Sequence, residues 1–236
     1  MKFDPPLTQA TMIKRYKRFL ADVRLANGDI ITVHCPNTGS MKHCVVAETP
    51  CWFSLSDNPK RKLPGTLEIT TTSLGFTAGV NTSRPNQLVR EAIEAGAITE
   101  LNGYDRIRTE VKYGDENSRI DLLLDKNQQQ CFVEVKNVTL ENPGGLISFP
   151  DAVTSRGAKH LRELMAMVEQ GHRAVLFFCV QHSGAKRVGV AVDIDPLYAE
   201  TLKRAIAAGV EVLAYGCTLS PTEIALNRRL DFALPL

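Results

Sequence analysis

At Arg84 the sequence changes its period, and that change constrains the fold more than any single motif. Before it, short β-rich runs at residues 12–25, 30–35, 51–56, 67–72 and 76–80 are broken by Asn27-Gly28, Pro36-Asn37 and Asn58-Pro59. Asn-Gly is a strong hairpin signal, and so many short strands in so few residues predict a small antiparallel barrel of OB-like type. After it, Pro85 opens a run with Leu88, Ala92 and Ala95 at helical spacing, closed by Gly96. That pattern predicts a helix. Strand-like runs at 107–113, 118–124 and 131–138 follow, then a helix over 154–169 and a buried strand at 174–180. The chain therefore reads as mixed α/β: an OB-like β-barrel over residues 1–84 and an αβββαβ domain over residues 85–236.

Hydrophobic residues at 44% and charged residues at 23% exclude a disordered or fibrous chain. The longest apolar run, residues 174–180, falls far short of the ~20 residues that span a bilayer, so no membrane partner is expected. The first residues, Met-Lys-Phe-Asp-Pro-Pro, lack a signal peptide's apolar stretch, which gives a cytoplasmic expectation. Six cysteines without a C-x-x-C pair then read as small buried hydrophobes. His34, Cys35, His43, Cys44 and Cys51 crowd one region, but their spacing matches no familiar zinc knuckle, and packing is the simpler reading.

Charge divides the two parts. Residues 1–84 carry 11 Lys and Arg against 6 Asp and Glu, whereas residues 85–236 carry 17 against 20. The excess centres on Arg15 and Arg18 in one cluster and on Lys60, Arg61 and Lys62 in another. Such clusters suit a polyanion such as DNA, or equally a solvated face. Tyr16, Phe19, Trp52 and Phe53 could stack on bases, although strand aromatics are more often core. The segment from His34 to Met41, with Asn37-Thr38-Gly39, offers amides and hydroxyls to an anion or forms an ordinary turn.

The second part holds a carboxylate set. Alternation puts Glu134 and Lys136 on one strand face and Val133 and Val135 on the other. With Asp121 alongside, two hard oxygen ligands would hold Mg²⁺ or Mn²⁺ against a phosphate, and the lysine would orient attacking water and counter developing charge. A buried structural ion pair is the competing reading. Arg156, Lys159 and His160, at i, i+3 and i+4, form a helical stripe that either meets phosphates or is simply solvated. Asp151 is expected to cap that helix or to add to the acidic site, and capping is the simpler account. Residues 201–220 loosely suit a helix-turn-helix, but the alternation at 210–215 predicts a strand.

The order Asp121…Glu134-Val135-Lys136 resembles the PD-(D/E)xK nuclease superfamily, with Ile120 where proline is usual. The whole chain resembles the bacterial sugar fermentation stimulation protein family. The match rests on the runs from Lys14 to Phe19, His34 to Gly39, Arg119 to Asp121, Glu134 to Leu140 and Phe149 to His160. The resemblance implies an OB-like domain joined to a nuclease-like domain, metal roles for Asp121 and Glu134, a catalytic role for Lys136, and a supporting acidic role for Glu91. Three functions follow as expectations: a Mg²⁺-dependent nuclease of low sequence preference, a non-cleaving DNA-binding regulator of sugar (maltose) metabolism genes, and a small-molecule or partner-binding module using the Asn37-Thr38-Gly39 loop. A fold can outlive its activity.

Overall fold

A computed structural model describes residues 1–127 and 129–234. In it β1 (Thr8–Tyr16), β2 (Leu20–Arg24), β3 (Ile30–His34), β4 (Pro50–Leu55) and β5 (Gly65–Thr71) pair in the order β3-β2-β1-β4-β5. His34 on β3 pairs with Thr66 on β5, which closes the ring into the expected OB barrel; β6 (Thr77–Gly79) extends β5 outward. Met12, Val23, Val33, Phe53 and Leu67 fill it together with Cys35, Cys44 and Cys51. Burial pushes the Cys44 and Cys51 thiols up to about 12, so they pack as hydrophobes. Phe53 is core, Trp52 packs against the second domain, and Phe19 alone of the four aromatics is exposed.

Asn27-Gly28 makes the β2–β3 turn, with Gly28 at φ 92°. The run at 12–25, read as one stretch, is two strands. It turns at Lys17 and Arg18, both with positive φ, where neither glycine nor asparagine signals a reversal.

The second domain begins with α1 (Pro85–Glu94), with Pro85 in its first turn. Next come β7 (Arg106–Tyr113), β8 (Ser118–Lys126), β9 (Gln129–Val138), β10 (Leu140–Asn142) and β11 (Leu146–Phe149). They are followed by α2 (Ser155–Glu169), β12 (Arg173–Val180), β13 (Arg187–Val190) and α3 (Pro196–Ala207). The chain ends in β14 (Glu211–Leu219), β15 (Ile224–Arg229) and β16 (Asp231–Phe232). Residues 210–215 thus run into a strand, as their alternation predicts.

The main sheet has the order β15-β14-β12-β9-β8-β7. One face, through Val133 and Val135, packs on Leu88, Val89 and Ala92 of α1. The other, through Phe132 and Phe178, packs on Leu161 and Leu164 of α2 and Tyr198 of α3. β12 lies parallel between β9 and β14 and is buried on both faces, which accounts for its unbroken apolar run. The sequence reading missed a second sheet, β10-β11-β13-β16, built from strands too short to carry a period. Thr154, not Asp151, caps α2: its Oγ1 accepts from Gly157 N at 2.9 Å.

Two buried carboxylates brace the junction, and the second of them crosses between the domains. Glu68 on β5 takes a bidentate pair from Arg84, and Glu141 on β10 accepts from Thr72, Ser73 and the Leu74 N–H. The first residues cross over as well: Phe3 and Leu7 donate to Thr222 and Pro221 beside β15, and Leu7 joins the second domain's core. No helix among the described residues is long and apolar enough to cross a membrane.

Candidate active site

The β8–β9 ladder runs from Lys126↔Gln129 to Leu122↔Val133 and stops where Asp121 would face Glu134. Beyond that point the Asp121 side chain takes the place of the neighbouring strand. Its Oδ2 accepts from Val135 N at 2.8 Å and its Oδ1 from Asn86 Nδ2 of α1 at 2.8 Å. Two carboxylates are thereby held at the point where the sheet opens. Helix α1, which the apolar stripe Leu88, Val89 and Ala92 presses on the sheet, delivers Asn86.

Glu134 is 2% exposed. Its Oε1 receives Lys136 Nζ at 2.6 Å and also meets His160 Nδ1 from α2. His160 Nε2 in turn accepts from Arg156 Nε at 3.3 Å, which places the ring proton on Nδ1, toward the carboxylate. Glu134 Oε2 is buried with no partner. A buried carboxylate oxygen without a donor is unfavourable, and a cation is one group that would satisfy it.

The two carboxylates are pushed apart in acidity. Burial raises Asp121 to about 6, helped by the negative charge of Glu134 and opposed by the Val135 N–H. Burial also acts to raise Glu134, but Lys136 and His160 outweigh it and hold Glu134 below its ordinary value. One carboxylate is thus firmly ionised while its neighbour is poised near neutrality.

The pair opens into a cavity of about 320 Å³ lined by both domains: Asn37 and Thr82 from the first, and Asp121, Glu134, Lys136, Arg156 and His160 from the second. Among the described residues no three His, Cys, Asp or Glu side chains converge into a metal cluster. The protein would offer a cation two carboxylates. This suits a hard ion that keeps waters and takes oxygen from phosphate.

The remaining expected residues fall in three places. Arg156, Lys159 and His160 share a face of α2 beside the pair, but His160 is 5% exposed and bonded to Glu134, so it faces inward. Arg15 reaches inward too, donating to Asn37 O at 2.8 Å and Gly39 O at 3.0 Å. It shapes the loop that walls the cavity. Asp151 grips the same loop, accepting from Ser40 Oγ and Met41 N. Arg18 at the hairpin tip and Lys60, Arg61 and Lys62 in the β4–β5 loop are exposed. Glu91 is not among the cavity's lining residues; its carboxylate pairs with the Met1 amino group at 2.8 Å and accepts from Gln87. Asn86 was missed by sequence reading. Its only signal is a position just after the helix-opening proline.

Comparison with known proteins finds family matches over both parts of the chain. The family described as "SfsA N-terminal OB domain" matches residues 13–80, and "Sugar fermentation stimulation protein RE domain" matches residues 83–223. The sugar fermentation stimulation protein homolog of Teredinibacter turnerae is 61% identical, covering 99% of this chain and 100% of the relative. That of Saccharophagus degradans is 57% identical, covering 98% and 99%. The structure of Pyrococcus furiosus SfsA in complex with Ca²⁺ superimposes with a TM-score of 0.87 at 27% identity, covering 99% of this chain and 98% of that one.

Proposed function

The chain belongs to the sugar fermentation stimulation protein family, and on that premise we propose that it binds DNA and hydrolyses phosphodiester bonds at a Mg²⁺- or Mn²⁺-dependent site. The observation that carries this reading is Glu134 Oε2, buried and without a partner, at the point where the sheet opens beside Asp121. Asp121 and Glu134 would hold the cation, and the Ca²⁺ in the P. furiosus relative supports a hard divalent ion. Bound there, such an ion would polarise a phosphoryl oxygen and lower the pKa of water. Lys136, fixed by Glu134, would orient the attacking water and counter charge gathering on the phosphate. Asn86 and the Val135 N–H keep Asp121 aimed at the cavity, and His160 does the same for Glu134. The unpaired, buried thiols suit a reducing cytoplasm.

The non-cleaving regulator is the second reading, because both Asp121 oxygens already accept hydrogen bonds and, among the described residues, no group of three His, Cys, Asp or Glu side chains converges on a metal position. Incubating the protein with single-stranded, duplex and branched DNA in Mg²⁺ or Mn²⁺ separates the two. Metal-dependent cleavage that disappears in Glu134→Gln supports the nuclease. Binding without cleavage of any form under either metal supports the regulator.

A further inference from the structure

Beside the cavity lies a second concavity of about 460 Å³, on the β7–β8 hairpin and the first turns of α2. It shares Arg156 and His160 with the cavity, and it adds Lys112, Arg119 and Lys159. Arg119 and Asp121 are two residues apart on β8 and share a strand face, so the groove leads directly from the carboxylate pair. We infer that this groove holds the phosphodiester backbone of one DNA strand as it leaves the site, and hence that the substrate is an extended strand and not a mononucleotide or a very short fragment. The inference rests on the proposed phosphodiesterase reading and adds to it which surface carries the flanking nucleotides.

Three independent features of the groove point to an anionic occupant. Lys112 and Arg119 are direct cross-strand partners, a like-charge pairing that opposes folding unless something neutralises it. Among the described residues none of Lys112, Arg119, Arg156 and Lys159 has a carboxylate within salt-bridge distance: Arg119 donates to Glu110 O, Lys159 to Glu116 O, and Arg156 to His160. Among the described residues the only acidic one lining it is Glu110. Its backbone has φ 55°, an uncommon conformation for glutamate, and this sets the carbonyl that Arg119 holds. Finally, Ser118, 4% exposed and lining the groove, has a buried Oγ with no hydrogen-bond partner. A hydroxyl among four cations that lack a carboxylate partner is a donor for a phosphate oxygen.

The hairpin that carries these groups is held rigidly. The Glu163 carboxylate of α2 accepts from the backbone N–H groups of Asp115 and Glu116, and Gly114, at φ 66°, leaves room for it: a Cβ there would collide with Glu163 Oε2. The groove is therefore preorganised, not assembled on binding.

The test measures fluorescence anisotropy of labelled single strands of about 20 and about four nucleotides in Ca²⁺ buffer. The proteins are wild type, Lys112→Thr/Arg119→Thr, and a charge-matched control, Lys203→Ala/Arg204→Ala on α3. The groove predicts that the long strand binds wild type more tightly than the short one. In the groove variant its affinity should fall about tenfold or more and its salt slope by about 1.4, the value for two lost single-strand phosphate contacts. The short strand and the control should be unaffected. The groove variant should unfold at the same temperature as wild type or higher, because a like-charge pair has gone; Lys112→Thr alone serves if the double variant fails to fold. Unchanged long-strand affinity and slope, an equal loss in the control, or equal binding of both lengths by wild type would overturn the inference. Metal-dependent cleavage lost in Glu134→Gln would still stand in those cases, so failure of the groove and failure of the site are read separately.

Discussion

Glu68 on β5 and Glu134 on β9 are both buried strand carboxylates, 0% and 2% exposed, and each sits beside a basic side chain. Their hydrogen bonding differs. Glu68 Oε1 accepts from Ser54 Oγ and Arg84, and Oε2 from Asn81 Nδ2 and Arg84, so both oxygens are satisfied. Glu134 has both its donors on Oε1, and its Oε2 has none. Glu68 also has no carboxylate neighbour among its partners, whereas Glu134 lies beside Asp121 and raises its pKa. A saturated buried carboxylate holds elements together. One left with a free oxygen, beside a second carboxylate and under an open cavity, keeps coordination capacity in reserve.

The sharpest way to break this comparison is to neutralise each carboxylate. Glu134→Gln should reduce metal-dependent cleavage by about 10²–10³-fold, as removal of a charge-stabilising group does, and it should also lower stability in urea because Lys136 loses its buried carboxylate partner. Glu68→Gln should leave cleavage near the wild-type rate. It leaves Arg84 facing an amide and should lower stability by about 2–3 kcal/mol, less than for a wholly buried pair because Arg84 is 27% exposed on its side chain. An equal loss of cleavage in both variants would remove the distinction between scaffold and site.

Asp121 sharpens the comparison through pH. Its folded pKa, about 6, lies above its ordinary 3.8, so the folded state holds a proton that the unfolded chain has already released. Its contribution to stability is complete below the ordinary value and is lost as pH rises through about 6. Asp121→Asn should therefore gain about 1–2 kcal/mol over wild type at pH 8 and little at pH 4 in urea unfolding. Asn86 can reverse its amide to meet the new side chain. A difference between the two proteins that does not vary with pH would mean that neither burial nor Glu134 raises the Asp121 pKa.

The smallest expected effect concerns Glu91. Glu91 is 38% exposed on its side chain where it pairs with the Met1 amino group, so Glu91→Gln should cost below about 1 kcal/mol of stability and leave cleavage near the wild-type rate. A loss of cleavage like that of Glu134→Gln would instead give Glu91 the catalytic role that the family resemblance suggests.

Much of this was legible in the sequence because the informative residues carry a period or a chemical oddity. Alternation located β8 and β9 and put Glu134 and Lys136 on one face; helical spacing located α1 and α2. Charged residues inside apolar strands marked the site. What sequence did not disclose depends on contacts between distant elements. Asn86 acts only because α1 packs beside β8, His160 turns inward only because α2 covers β9, and Arg15 folds back on the Asn37–Gly39 loop instead of facing solvent. The Lys17-Arg18 turn has no glycine to announce it, and β10, β11, β13 and β16 are too short for a pattern.

The central claim is that Asp121 and Glu134 form a cation site, and an anomalous difference map from a crystal soaked in Mn²⁺ tests it most directly. The account predicts a peak within coordination distance of an Asp121 oxygen and of Glu134 Oε2 in the wild type, and none at that position in Glu134→Gln. A fully soaked wild-type crystal with no peak between the two carboxylates would contradict it, leaving Glu134, Lys136 and His160 as a structural ion-pair network.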